Sequence, residues 1–424
     1  MKIEITEISQ SGDGKAFIDG KPIYVPYTNI GDLVEVEVVF EKKDFIRAKI
    51  AKVIARADKY SEPPCEYYGK CGGCNMQHLN DNQYYKFKSD LLAKAIKRAG
   101  FDDVQLDNVV KIGGNSRRRA ELKVTSGRGG VALGFYEKNA NKLIDIQECL
   151  SVEKEISDLF PKLREVIFEL KRKERMEEVK LFLSDKGIDA VFVSAASPDK
   201  AEIEYLADFA AKNKLSRLVW ENDGSRYEIF DDKPYVSFSD VKVFYPEGTF
   251  MQATKQGLLE ITNIITSNLK DGDKIADLFC GCGAYSFPMA YDSGGSVTAY
   301  EGDRDMVASV NKAIADSSME GEITAYQRDL YKNPVGAKDL RKFDVVVINP
   351  PRNGAEPQVK NIVNASVLKV IMVSCNPNSL ERDLKYFQKN GYKIVRAVPV
   401  DQFYWTNHLE SVVILEKSVV ILEK

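Results

Sequence analysis

No run of 18 apolar residues occurs in the 424-residue chain, so no membrane-spanning helix is expected. The opening MKIEITEISQ lacks a basic stretch followed by an apolar one, which argues against an export signal. Cysteine is sparse: seven residues are too few for a disulfide scaffold. Their odd number, with no export signal, points to a reducing, cytoplasmic compartment. Charge of one sign is lacking too. Lys and Arg number 60 against 63 Asp and Glu, for a net charge of −3 and a pI of about 5.8. A polybasic coat protein is thereby excluded, and any nucleic-acid binding must use a local basic face. Core material is ample, at 44% hydrophobic and 29% charged residues. That rules out a disordered, collagenous or coiled-coil chain, and the length suggests two to four domains.

Residues 1–58 read as short strands (AFIDG, PIYVPY, LVEVEVVF, IRAKIAKVI) broken by Gly, Asp and Asn. About five strands in so short a span suggest a small closed barrel of OB type. A Pro-flanked Cys cluster follows, then a helical pattern over about 81–99. Residues 115–150 return to strands, and 152–245 alternate helix-like and strand-like stretches. From about 255, helices alternate with KIADLF, SVTAYE, EITAYQRD, FDVVVINPP, KVIMVSCNP, YKIVRAVPVD and ESVVILEK. That alternation predicts an α/β doubly wound parallel sheet. The expected divisions are 1–58, 59–250 and 251–417. SVVILEK occurs twice in tandem, and the second copy, 418–424, reads as a tail without a role.

Two phosphate-binding signals are missing from the Gly-rich turn DLFCGCG: there is no G-x-G-x-x-G and no P-loop Lys. Gly281 and Gly283 instead permit close backbone approach to a ligand at the end of the strand that carries Asp277. Glu301, closing the next strand, can accept two ribose hydroxyl hydrogen bonds, and Asp329 stands where an adenine contact is expected. The pattern favours S-adenosylmethionine over NAD.

Cys375, in VSCNP, follows a strand and precedes a helix whose N-terminus can stabilise a thiolate. His408 and Glu410 lie at the last strand, and Asn349 follows the fourth. All converge on the sheet edge where ligands bind. Methyl transfer to pyrimidine C5 needs such parts, because that carbon is a poor nucleophile. A thiolate adding at C6 activates it, and a base must then remove the C5 proton. Cys375 fits the nucleophile, Glu410 the base, and Asn349 a hydrogen-bond partner of the uracil edge.

Cys65, Cys71 and Cys74 have metal-type spacing, and Cys149 is the one other Cys in the first 270 residues. Four thiolates suit zinc or a [4Fe–4S] cluster, with His78 the alternative fourth ligand. Residues 81–130 carry 11 Lys and Arg against 6 Asp and Glu. In a strand, Arg117 and Arg119 share one face. With Tyr84, Tyr85 and Phe87 nearby, this patch suits RNA phosphates and unstacked bases.

With these residues in view, the chain resembles the RNA uridine-C5 methyltransferase family, in its branch with a TRAM domain and an iron–sulfur cluster. The likeness runs through GDGKAF…VPYTNIGDLVEVEV, CEYYGKCGGCNMQH with Cys149, FMQAT, DLFCGCGAYSFPMA, INPPRNGA, VSCNPNSLERD and DQFYWTNHLESV. It implies a Rossmann-like methyltransferase domain, an N-terminal TRAM barrel and a central α/β iron–sulfur domain. It implies S-adenosylmethionine-dependent formation of 5-methyluridine in 23S rRNA or tRNA by a cytosolic, monomeric enzyme with no membrane partner. Cys375 is carried over as nucleophile and Glu410 as proton acceptor. Gln252, Phe279, Glu301, Asp329 and Asn349 are carried over as cofactor- or target-site positions. Cys65, Cys71, Cys74 and Cys149 are carried over as ligands of a [4Fe–4S] cluster. Three positions depart from the family pattern: Asn349 for Asp, Thr254 for Asn and Tyr404 for Pro. The competing readings are a cytosine-C5 methyltransferase, disfavoured because INPPR carries no second Cys, and a non-catalytic RNA-binding protein.

Overall fold

The computed structural model describes residues 1–127, 129–138 and 140–417. The second SVVILEK copy lies outside the described residues. Among them, no helix is long and apolar enough to cross a membrane.

The N-terminal strands, six rather than five, form one sheet: Lys2–Glu4, Glu7–Ile8, Gly14–Ile18, Lys21–Val25, Leu33–Glu41 and Ile46–Ala55. Alternate residues Val34 and Val36 point inward with Ile3, Ile5, Ile23 and Ile46, as the period-2 pattern requires. A second, seven-stranded sheet spans Arg119–Asp231. It is antiparallel apart from Ile188–Ser194 and Leu215–Asn222, which run parallel because helix Lys200–Lys212 crosses between them. That helix starts with a capping box, Asp199 and Glu202 each bonding the other's backbone N–H.

The third sheet has eight strands. Five are parallel, in the order Ile323–Gln327, Ser296–Glu301, Lys274–Leu278, Val345–Ile348, Lys369–Ser374. Their apolar runs are buried on both faces: Ile275, Val347 and Ile371 face one core, and Ala276, Ile348 and Met372 the other. The strand order reverses beside Lys274–Leu278, which opens a crevice at the C-terminal edge. Glu410–Lys417 then inserts antiparallel between Lys369–Ser374 and Tyr392–Asp401, pairing Ser411 with Ser374. An antiparallel strand begins where its parallel neighbours end. The register therefore sets Glu410, the first residue of one strand, beside Cys375, which follows the last residue of the other.

The architecture crosses the expected 59–250 division. Helix Asp81–Arg98 packs Phe87 and Leu92 against Leu380 and Phe387 of the third sheet's layer. Val110–Lys111 adds a strand to that sheet beside Tyr392–Asp401. The hairpin Tyr235–Phe238 and Val241–Phe244 buries Val236 and Val243 in its other face. Apolar pattern located these segments, but which sheet they cover depends on long-range packing.

Lys88, on helix Asp81–Arg98, and Asp401, ending its strand, form an ion pair at 2.6 Å with neither side chain exposed. The Lys88 ammonium also donates to the carbonyls of Phe403, at 3.3 Å, and His408. Removing one partner strands a buried charge, a loss of about 3–5 kcal/mol. Lys88→Met is expected to destabilise the chain by that order in urea unfolding. Lys88→Met/Asp401→Leu should recover much of the loss. A single variant as stable as the parent would show that the pair does not carry the fold.

Candidate active site

The Gly-rich turn follows strand Lys274–Leu278. Phe279 (φ 63°), Gly281 (φ 57°) and Gly283 (φ 85°) all take left-handed backbone, which two glycines adopt without strain. A Cβ at Gly283 would come within 2.6 Å of the Phe287 ring, whereas one at Gly281 would meet open space. Glu301 ties the turn together. Its Oε2 accepts from the Gly281 N–H at 2.9 Å, and its Oε1 from Gly302 and Asp303 at 2.6 and 3.0 Å. Oε2 keeps a lone pair for a ligand hydroxyl. Asp277 is fully buried and accepts from Ser286 at 2.6 Å, while its second oxygen has no partner. Burial pushes its carboxyl up to about 7.

Phe279 and Tyr331 face each other with ring centroids 5.4 Å apart. Tyr331 also donates to the Gly354 carbonyl at 2.9 Å, linking this turn to the INPPRNG loop. Sequence reading missed Tyr331, since a lone Tyr carries no periodic or motif signal. Asp329 Oδ1 accepts from the backbone of Tyr331 and Lys332, both at 3.1 Å, so the carboxylate shapes a turn. Asn349 is half-buried at the adjacent strand end, its N–H on the Leu278 carbonyl at 3.2 Å.

Cys375 lies on a cleft of about 350 Å³ shared with Gln10, Ser11, Arg352, Asn407 and His408. Burial first, then the Glu410 charge, push its thiol up to about 11, against the opposing pull of Arg352. The expected helix N-terminus is there, with Asn376 as its cap, but it does not outweigh desolvation. Glu410 is 3% exposed, and burial pushes its carboxyl up to about 8. Gln402 Nε2 donates to Glu410 Oε2 at 2.7 Å and to Gln252 Oε1 at 2.8 Å. Gln252 Nε2 in turn donates to the Tyr285 hydroxyl at 2.8 Å. Sequence reading found Gln252 and Glu410 but not the Gln402 that joins them.

The cleft's rim includes the N-terminal sheet, which sequence reading did not foresee. Gln10 bonds Asn378 at 3.2 Å, and Asn75 bridges the Ser11 carbonyl and Asn407 at 2.9 and 3.2 Å. Two departures from the family pattern have clear structural roles. Thr254 caps helix Lys255–Thr266 by accepting from Gly257 at 2.9 Å, a role Ser, Thr, Asn and Asp share. Tyr404 packs edge-on against Tyr84 with centroids 5.6 Å apart.

The expected basic, aromatic patch is altered. Tyr84 and Phe87 lie in the core, because they occupy the buried face of helix Asp81–Arg98. Strand pairing in the second sheet starts at Arg119, and Arg117 precedes it, bridging to Val152 and Thr254. Arg117 is half-buried, with its Nε out of contact with water and without a partner. Arg119 lies over the Phe250 ring at 5.3 Å. Arg118 donates to the Gln252 carbonyl at 3.1 Å.

Cys65, Cys71, Cys74 and Cys149 fold into one neighbourhood, and all four are free thiols. Burial pushes Cys71 up to about 11 and Cys74 up to about 12, and the Cys149 charge adds to both. Among the described residues no three His, Cys, Asp or Glu side chains are arranged to hold a metal ion. His78 is not the fourth ligand, since its ring nitrogens are taken by Tyr68 at 2.5 Å and the Thr28 carbonyl at 3.0 Å.

The family model described as tRNA (Uracil-5-)-methyltransferase matches residues 80–418. An uncharacterized RNA methyltransferase of Brucella suis is 32% identical over 98% of this chain and 98% of its own length. The 23S rRNA (uracil(1939)-C(5))-methyltransferase RlmD of Shewanella piezotolerans is 31% identical over 98% and 95%. The fold is that of the tRNA (uracil-54, C5)-methyltransferase of Pyrococcus abyssi, crystallised with S-adenosyl-L-homocysteine. Its TM-score is 0.76 at 22% identity, over 98% of this chain and all of that one. This mixed α/β methyltransferase chain belongs to the tRNA (uracil-5-)-methyltransferase family.

Proposed function

We propose that the protein methylates C5 of a uridine in structured RNA, 23S rRNA before tRNA, through a Cys375–C6 adduct. The observation that carries this is the strand register that sets Cys375 beside the buried Glu410. The RlmD relatives, 29% and 31% identical over 98% of the chain, favour rRNA. The residues of the crevice fit S-adenosylmethionine: open space over Gly281, a free lone pair on Glu301, and the Phe279–Tyr331 ring pair. That group supplies an electrophilic methyl when bound.

The chain's own residues do the rest. Cys375, its thiol proton released to solvent, bonds as thiolate to uracil C6, and the C5–C6 π pair moves onto C5 and O4 as an enolate, which makes C5 a nucleophile for the methyl. Once C5 is methylated, Glu410 takes its proton. The C5–H electrons form the C5–C6 double bond, the C6–S bond breaks, and the thiolate returns to Cys375. Asn349 and Gln252 hold the uracil edge.

The N-terminal sheet is read as a TRAM barrel of OB type. Its support is compact closure around nine buried residues and the parallel pairing of Lys21–Val25 with Ile46–Ala55. Exposed Phe17 and Phe40, each under a lysine ammonium at 4.4 and 5.3 Å, suit unstacked bases. With Arg117 and Arg119 they form the proposed RNA face. The proposed divisions remain a barrel at 1–58, a Cys-cluster domain within 59–250 and a methyltransferase domain at 251–417. Cys65, Cys71, Cys74 and Cys149 are proposed to hold a [4Fe–4S] cluster with a structural or RNA-positioning role. Supporting this are four free thiols gathered from distant segments. The Gly73 N–H donates to the Cys71 sulfur at 3.3 Å. Such hydrogen bonds tune iron–sulfur centres.

Nucleoside mass spectrometry tests the activity. Incubated with S-adenosylmethionine, unmodified 23S rRNA fragments are expected to gain 5-methyluridine. Cys375→Ala is expected to abolish it. Gain in tRNA transcripts alone would overturn the rRNA assignment, and gain in neither would overturn the activity. RNA with 5-fluorouridine at the target is expected to give a denaturant-resistant complex, because fluorine does not leave as a proton does. No such complex with the parent enzyme would refute the adduct. Anaerobically purified protein is expected to hold iron and acid-labile sulfide; a single zinc without sulfide would refute the cluster.

A further inference from the structure

The amide of Gln402 is 1% exposed and gives both its hydrogens away. One goes to Glu410 Oε2 at 2.7 Å, the other to Gln252 Oε1 at 2.8 Å. Its own carbonyl Oε1 is buried without a partner. The carbonyl lies against Gly257, where an added Cβ would stand 3.1 Å from it and 2.9 Å from Gln402 Cβ. A buried carbonyl without a partner is rare in native folds, and turning the amide over would direct it at the Glu410 carboxylate. An ionised carboxylate only accepts, so the site demands N–H on that side. The same Gln402 Nε2 needs an acceptor on its other side, so Gln252 presents Oε1 to it and turns Nε2 to the Tyr285 hydroxyl at 2.8 Å. With Glu410 ionised, the chain Tyr285–Gln252–Gln402–Glu410 therefore takes its direction from the base and terminates on one of its oxygens.

We propose that Gln402 is a positioning residue for proton abstraction: it clamps Glu410 Oε2 as carboxylate, couples it to Gln252, and leaves Oε1 to receive the proton. The proposal rests on Glu410 being the base. Among the described residues, no group donates to Oε1, so the proton leaving uracil C5 has an unoccupied oxygen to reach. Both charge and aim of the base therefore depend on an amide eight residues before it in the chain. The hydrogen bond from Gln402 also opposes the rise that burial imposes on Glu410.

The test compares Gln402→Met, Gln402→Glu and Glu410→Gln in the full-length enzyme, each checked by thermal melting. The base must be ionised in the bound complex, so kcat is expected to rise with pH through about 8 in the parent. In Gln402→Met that limb should move up by about one pH unit, the order set by loss of a charge-assisted hydrogen bond. At pH 7 kcat should fall about tenfold and KM for RNA should fall with it, leaving kcat/KM within about twofold, because the slowed step follows methyl transfer. Unsubstituted RNA should accumulate in a denaturant-resistant complex, because addition proceeds and elimination lags. Gln402→Glu keeps the side chain's size and places a second acid beside Glu410. It should shift the limb further upward, and it carries the test if the Met variant melts early. Unchanged limb, kcat and complex level in these variants, with Glu410→Gln inactive, would overturn the role of Gln402 alone. Full turnover by Glu410→Gln would instead overturn the base assignment.

Discussion

A lysine without solvent exposure holds the catalytic end of this molecule in place. Lys88 reaches from a helix that precedes the parallel strands of the methyltransferase sheet by more than a hundred residues. It meets the Asp401 carboxylate and the carbonyls of Phe403 and His408. Those three acceptors bracket the segment between the last two strands. Burying an ammonium is costly, and burial lowers the Lys88 pKa while Asp401 opposes it. The cost is offset only if all partners stay in position. The loop that delivers Gln402 and Glu410 is therefore constrained by an interaction that touches neither.

Desolvation is the common electrostatic theme around that loop. Asp277, Glu410 and Cys375 are each pushed upward with burial as the first cause. Such groups resist ionisation in isolation, and the structure answers with individually aimed donors: Ser286 on Asp277, Gln402 on Glu410, and the Arg352 charge near Cys375. The site thereby couples thiol and carboxyl, because ionised Glu410 raises Cys375. Cys375 lines a cleft and the strand register puts the buried Glu410 beside it, a pairing of perturbed groups that suits proton-transfer chemistry.

The N-terminal sheet is part of this arrangement and not an appendage. Gln10 and Ser11 border the cleft that exposes Cys375, and Asn75 ties Ser11 to Asn407. His78, neutral and lowered to about 4 by burial, bonds Tyr68 on the Cys segment and Thr28 on the N-terminal sheet.

Much of this was legible in the sequence. Periodicity located the helices and strands after 255 because each buried run has the length and spacing of one element. DLFCGCG, VSCNP and the terminal H-x-E located the turn, Cys375 and Glu410, because these residue types have few structural uses at strand ends. Pattern alone could not say that Tyr84, Phe87 and Lys88 face inward, since a helix face becomes a core only when something packs on it. It could not identify Tyr331 or Gln402, whose roles come from partners 23 and 150 residues away. The sequence by itself determined the chemistry on offer: a thiol, a carboxylate and a glycine turn, each at a strand end. Tertiary structure decided which of them meet, because only the antiparallel insertion of Glu410–Lys417 brings the start of one strand to the end of its neighbours.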